Sequence, residues 1–189
     1  RASCPHRKCR AVVVREGAPL GTAAALNVVL FRVSELRCAA DVDPVLSVMK
    51  ANETRSGDVA LPLVVGVVPH DSDWAPVVDL AARWGEGAEA SSARSVILVQ
   101  VEEQVLGFQV TECTGVASLS LDQISVLPPV VARTEREPCV WGLGRIEEDL
   151  VPLIEWESIL TAEELAELSA WDRTHIEGVD TDGTVARVG

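Results

Sequence analysis

Short apolar runs closed by polar breaks dominate the chain, and a helical period stands out only near its C-terminal end. The runs are rich in β-branched residues, the composition of strands that pack on a pleated surface. Their spacing predicts strands over 26–33 and 36–40, then a short helical turn leading into a strand over 41–50. A polar loop with Gly57 fills 51–59, and strands over 61–68 and 75–80 flank a turn at 69–73. Segments 95–101 and 105–110 form a hairpin turning at 102–104, and 116–126 is a further strand region. A charged loop at 133–137 precedes a last hairpin, 140–146 and 150–156, turning at 147–149. Thr161 followed by Glu164 is a capping box, and Leu160, Leu165 and Leu168 make the apolar stripe of the helix it opens.

The pattern repeats itself. Val28-Val29-Leu30-Phe31-Arg32-Val33 and Val96-Ile97-Leu98-Val99-Gln100-Val101 match at an offset of 68, and the match continues from Val42, Val45 and Val48 to Val110, Cys113 and Val116. A second pair matches at an offset of 76: GVVPHDSDWAPVVDL from Gly66, and GLGRIEEDLVPLIEW from Gly142. Both place Pro ten residues after Gly (Pro76, Pro152) and an acid three after Pro (Asp79, Glu155). Two matches in the same order point to a duplicated β unit, with eight residues inserted into the second copy near Pro128–Pro138.

The expected fold is all-β: two five-stranded antiparallel SH3-like barrels with a short C-terminal helix. The expected division is a basic flexible tail at 1–25, a first barrel at 26–85, a Gly/Ala/Ser linker at 86–94, a second barrel with the helix at 95–170, and a flexible tail at 171–189, with exchange of strands between the barrels left open. A chain of 189 residues hides roughly 70% of its unfolded surface on folding, so a core needs no metal or disulfide.

Charge narrows the partners. Sixteen basic and 29 acidic residues give a net charge of −13, which disfavours nucleic acid and anionic membrane. Residues 1–16 hold five basic and one acidic residue, leaving 11 basic against 28 acidic in the rest. No apolar run reaches the ~20 residues of a membrane span, and Arg15, Glu16 and Pro19 interrupt what would be a signal-peptide core. The absence of an initiator Met at Arg1 reads as processing or a fragment, and the chain reads as cytoplasmic. Five cysteines (4, 9, 38, 113, 139) make no disulfide framework, and Cys38 and Cys113 read as core thiols.

Catalytic chemistry finds little support. Cys4, His6 and Cys9 supply three ligands without a second cluster, and His70 with Asp71 and Asp73 matches an ordinary polar turn. There is no G-x-S-x-G elbow and no phosphate loop. The expectation is a protein without catalysis, cofactor or metal, acting through a surface. Trp74 and Trp141 are candidate contact residues.

The same residues resemble the CheW-like chemotaxis coupling proteins from 26 to about 169. NVVLFRVSELRCAADVDPVLSV and GVVPHDSDWAPVVDL match the family's first half. VILVQVEEQVLGFQVTECTGVASLSLDQISVLPP and WGLGRIEEDLVPLIEWESILTAEELAEL match the second more closely. The resemblance implies a cytoplasmic, monomeric adaptor that couples methyl-accepting chemoreceptor tips to the regulatory domain of a CheA-type histidine kinase. The alternative is a CheW-like regulator of another pathway, in motility, development or second-messenger signalling. The implied partner surface comprises Val45, Ser47, Val48, Pro69, His70, Asp71, Ser72, Asp73 and Trp74. Gly66, Pro76, Asp79, Gly107, Gly142 and Pro152 are the implied structural positions. Asp71 stands where the family carries the Arg of an Asn-Leu-Arg-Gly motif, and Ser47 where it often has Glu, which implies altered electrostatics and a partner of its own.

Overall fold

The computed structural model describes residues 25–55, 62–71, 73–85, 94–127 and 139–170. The expected tails, nearly all of the linker, the charged loop at 133–137, Ser72, His175 and the Cys4/His6/Cys9 cluster lie outside the described residues.

Eleven strands carry the architecture: β1 (Ala25–Val33), β2 (Leu36–Asp41), β3 (Val45–Lys50), β4 (Val64–His70), β5 (Asp73–Asp79), β6 (Ser95–Val101), β7 (Gln104–Val110), β8 (Glu112–Ser120), β9 (Ile124–Val126), β10 (Val140–Ile146) and β11 (Asp149–Ile154). Helix α1 (Leu80–Arg83) follows β5, and helix α2 (Ala162–Ser169) is the last of the elements described. The strands form two SH3-like barrel sheets, β8-β1-β2-β11-β10-β9 and β3-β6-β7-β5-β4. Each is antiparallel except for one parallel pair, β11 on β2 and β5 on β7.

The duplication holds for every strand but β9. β1, β2 and β3 correspond to β6, β7 and β8 at the offset of 68, and β4 and β5 to β10 and β11 at 76. Irregularities repeat as well: the β4–β5 ladder shifts between Val64 and Gly66, and the β10–β11 ladder between Val140 and Gly142. Yet neither sheet is built from one contiguous half of the chain. Hairpin β1–β2 completes the sheet of β8 to β11, and hairpin β6–β7 completes the sheet of β3 to β5. Two short crossings make the exchange, Val42 to Pro44 after β2 and the single residue Thr111 between β7 and β8.

The hairpins β1–β2, β4–β5, β6–β7 and β10–β11 all turn on two residues. The first of these, Ser34, Asp71, Glu102 and Glu147 respectively, has φ of 51°, 51°, 52° and 59°. That left-handed conformation suits the primed turns whose twist matches flanking strands.

Exchange leaves the hairpin strands buried on both faces. Val28, Leu30, Ala39, Leu119, Val151 and Leu153 fill the first barrel, and Val68, Ala75, Val77, Val96 and Leu98 fill the second. A third, larger cluster lies between them, where Val29, Phe31, Cys38, Ala40 and Ile154 meet Val78, Ile97, Val99, Leu106 and Phe108. Trp156 is stacked in it against Phe31 and Phe108, centroids 5.6 and 5.2 Å away, and its Nε1 donates to the Asp41 carbonyl at 2.9 Å. Cys38 is fully buried and Cys113 is half-buried beside this cluster.

Helix α2 begins as its capping box predicts. Glu164 N donates to Thr161 Oγ1, and Thr161 N to Glu164 Oε2. Its Leu168 joins the shared core, and Gln104 Nε2 donates to the Leu165 carbonyl.

Several local expectations are corrected. No helical turn follows Asp41; Asp43 N instead donates to Asp41 Oδ1, and β3 starts at Val45. Segment 116–126 is two strands, broken at Leu121–Gln123 by a 3₁₀ turn with a Ser120/Gln123 capping box. Leu80 opens α1 rather than ending a strand, because Asp79 Oδ1 accepts from Ala81 N and Ala82 N. Trp156 starts a 3₁₀ turn, and Pro69, His70 and Asp73, expected in a turn, lie in β4 and β5.

Candidate interaction surface

The expected partner residues fall on the second barrel, on β3 and around the β4–β5 turn. These lie on the two edge regions of the sheet, which the chain after β3 links. After β3 the chain turns through Ala51–Glu53 and pairs with β4: Arg55 N donates to Val67 O and Val67 N to Arg55 O, both at 2.8 Å. Antiparallel pairing at this point runs the end of β3 toward the His70–Asp73 turn.

Gly66 makes the closure possible. A Cβ there would lie 2.3 Å from the Arg55 carbonyl oxygen, a distance no side chain tolerates. Gly142 holds the equivalent place in the first barrel, with Ser125 O 3.0 Å from its would-be Cβ. A Cβ at Gly107 would lie 2.9 Å from Val96 Cγ1 and 3.0 Å from Val77 Cγ2.

Along β3 the side chains divide between faces. Val48 pairs with Ile97 on the side of the shared core and is 44% exposed, and Val45, opposite Val99, is half-buried. Ser47 pairs with Leu98, whose side chain fills the barrel interior, so the residue is half-buried. Leu46, in the bulge between Val45 and Ser47, is 42% exposed. Sequence reasoning passed over Leu46, because simple alternation does not reveal a bulge.

At the other side of the surface Pro69 is exposed and pairs with Trp74. The Arg55 guanidinium lies over the Trp74 ring, 5.2 Å from its centroid. Asp71 projects at the turn with 90% of its side chain exposed, one carboxylate oxygen 3.6 Å from His70 Nε2. Asp73 is exposed and its Oδ1 accepts from the Trp74 amide at 2.8 Å. The stacked Trp74/Arg55 pair, next to the acidic turn at Asp71, is of the residue types enriched at binding hot spots. Trp141 lies elsewhere, half-buried against the first barrel's interior.

Pro76 and Asp79 are buried, Asp79 at the end of β5 away from the turn. Asp79 is the N-cap of α1, and its Oδ2 accepts from Arg94 Nη1 at 3.0 Å and Gln109 Nε2 at 3.2 Å. Pro152, in β11, pairs with Leu143 on the first sheet. A cavity of about 100 Å³ adjoins Asp79, lined also by Arg32, Ser34, Arg94 and Thr111. It is well below the roughly 300–1,000 Å³ of typical ligand pockets. Among the described residues no group of three or more His, Cys, Asp or Glu could hold a metal ion. None of the helices described is long and apolar enough to cross a membrane.

Comparison with known proteins matches the model of the CheW-like domain to residues 27–164. A chemotaxis protein CheW of Rhizobium meliloti is 29% identical over 126 residues, covering 63% of this chain and 81% of that protein. A probable chemotaxis protein CheW of Rhizobium etli is 29% identical over 102 residues, 53% of this chain and 65% of that one. Among solved structures, the scaffolding protein TtCheW of Thermoanaerobacter tengcongensis shares the fold, with a TM-score of 0.64 at 22% identity, over 74% of this chain and 96% of that one.

Proposed function

Because the chain belongs to the CheW-like domain family, we propose that it is a non-catalytic cytoplasmic adaptor coupling methyl-accepting chemoreceptors to a CheA-type histidine kinase. What carries the reading is the extent of the match, which runs from β1 into α2 and so takes in both barrels. The outer surface of the second barrel, with Leu46, Val48, Trp74 and the Asp71 turn, is the face offered to the kinase regulatory domain. The chemoreceptor tip would take the apolar margin of the shared core beside Val45 and Val48.

Asp71 favours a kinase or regulator specific to this protein over a generic one. A fully projecting carboxylate repels an acidic partner surface and attracts a basic one, and like charges across an interface can cost several kcal/mol. In a second reading, the same surface serves a regulator outside chemotaxis.

The test is a pull-down from the source cells with the purified chain. Recovery of a CheA-type kinase or a chemoreceptor supports the adaptor reading. Recovery of neither by folded protein abandons it in favour of the second reading.

A further inference from the structure

The outer face of the first sheet is apolar from β1 to β10, and the second barrel covers only part of it. Val29, Phe31 and Val33 on β1, Cys38 and Ala40 on β2, and Ile154 on β11 belong to the shared core and are 2% exposed or less. Side chains alternate along a strand, so Leu36, Leu150 and Pro152 lie on that same face. The parallel register of Leu153 with Ala39 and Ile154 with Ala40 sets Leu150 beside Leu36. The antiparallel register sets Leu143 beside Pro152. Leu36 is 36% and Leu150 63% exposed, and Leu143 and Pro152 are half-buried. The apolar face therefore ends in a corner that the described residues leave uncovered.

Carboxylates border that corner. The β1–β2 and β10–β11 turns lie at its end and present Glu35, Glu147 and Glu148. Arg37 is occupied by Asp149 at 2.9 Å and approaches Glu147 at 3.9 Å, and Glu35 meets Arg32 only at 3.8 Å. Glu148 makes no hydrogen bond or ion pair with the described residues. The fitting occupant is a short apolar run flanked by cations. A second copy of the corner fits badly, because it would set carboxylates against carboxylates.

The chain contains such a run at 7–15: Arg7-Lys8-Cys9-Arg10-Ala11-Val12-Val13-Val14-Arg15, which lies outside the described residues. It sits in the basic stretch that precedes an otherwise acidic chain. Eleven steps join Val14 to Ala25, a reach of up to about 36 Å. Strand β1, which leads from Ala25 to the corner end of the sheet, is about 27 Å long.

We propose that the uncovered corner of Leu36, Leu143, Leu150 and Pro152 is the docking site of segment 7–15 of the same chain. Val12 to Val14 cover the leucines, and the flanking cations face Glu35, Glu147 and Glu148. The contact is a displaceable cover whose electrostatic part weakens with salt.

Hydrogen exchange on the full chain, read by mass spectrometry, tests this. Segment 11–15 is expected to exchange at least tenfold more slowly in the parent chain than in Leu150→Glu, and to lose protection in 0.5 M salt. Leu150 is exposed, so the variant keeps its fold, and unchanged exchange of the β1–β8 ladder verifies that. Leu36→Ser is expected to act in the same direction. Unprotected exchange of 11–15 in the parent chain overturns the proposal, as does protection that survives Leu150→Glu. Protection that grows with protein concentration overturns it too, since the segment would then cover another copy.

Discussion

Asp71 and Glu147, 76 residues apart, hold the same left-handed backbone conformation at the first position of equivalent turns, with φ of 51° and 59°. Ser34 and Glu102 form the corresponding pair in the other two hairpins. None of the four turns uses the Asn-Gly or Gly-rich pairs that favour this geometry, so each carries a small backbone cost.

Glu102→Gly is therefore expected to stabilise the protein, although glycine usually destabilises a strand protein. Relief of the left-handed strain, about 1 kcal/mol or more, exceeds the added unfolded-state entropy, for a net gain of about 0.5 kcal/mol. Glu102→Val, β-branched at positive φ, should cost about 1 kcal/mol or more. Urea denaturation curves of the two variants should shift in opposite directions.

Gly66→Ala is expected to open the second barrel. Its methyl group cannot coexist with Arg55 O at 2.3 Å, so the paired backbone of Arg55 and Val67 must separate, at a cost of about 3 kcal/mol. Gly142→Ala, whose methyl group would meet Ser125 O at a tight but less severe 3.0 Å, should cost about half as much. Thermal unfolding compares them, and equal losses would mean the closure is not the reason for Gly66.

Asp79 holds three elements together. Asp79→Ala removes an N-cap and the carboxylate that accepts from Arg94 and Gln109, for an expected loss of about 2–3 kcal/mol. Asp79→Asn keeps the cap and should lose about 1 kcal/mol. Denaturant midpoints distinguish the two.

Burial pushes the Cys113 thiol above its ordinary value of 9.0, with the Glu112 charge adding to it against an opposing backbone hydrogen bond at Gly115. The folded chain binds this proton more tightly than the unfolded chain. Its stabilising effect is thus complete below about pH 9 and is lost as the pH rises through the folded value. Cys113→Ser should flatten that alkaline fall in stability, read from denaturation midpoints between pH 8 and pH 10.5.

Asp71→Arg reverses the charge at the projecting turn without touching the core. Under the adaptor reading it should weaken binding of the native partner at least tenfold, while stability falls by no more than about 1 kcal/mol because Arg tolerates the left-handed backbone less well than Asp. Affinity measured by calorimetry before and after the change provides the check.

Local structure was legible where one residue's chemistry decides it. Thr161 and Glu164 announce α2, and the β-branched apolar runs announce β1 and β6. The Ser120/Gln123 box was equally visible, and its neglect merged β8 with β9. Asp79 was noted as a repeated acid, not as the cap that starts α1. The exchange of hairpins was not legible, because a strand's apolar pattern specifies which face is buried and not which strand lies beside it. On the partner surface the residues of the turn were readable as polar punctuation. The stacking of Arg55 on Trp74 depends on a pairing nineteen residues apart in the chain, which no local pattern encodes.

The crossed hairpins make the molecule indivisible along its own sequence. A protease that cuts between α1 and β6 severs the peptide but frees neither piece, since β1–β8, β2–β11, β3–β6 and β5–β7 each bind one piece to the other. Two fragments would run apart in detergent and together on a sizing column. For a gene born of duplication the consequence is one-way: once each copy had lent its leading hairpin to the other, neither could be deleted and leave a folded protein behind.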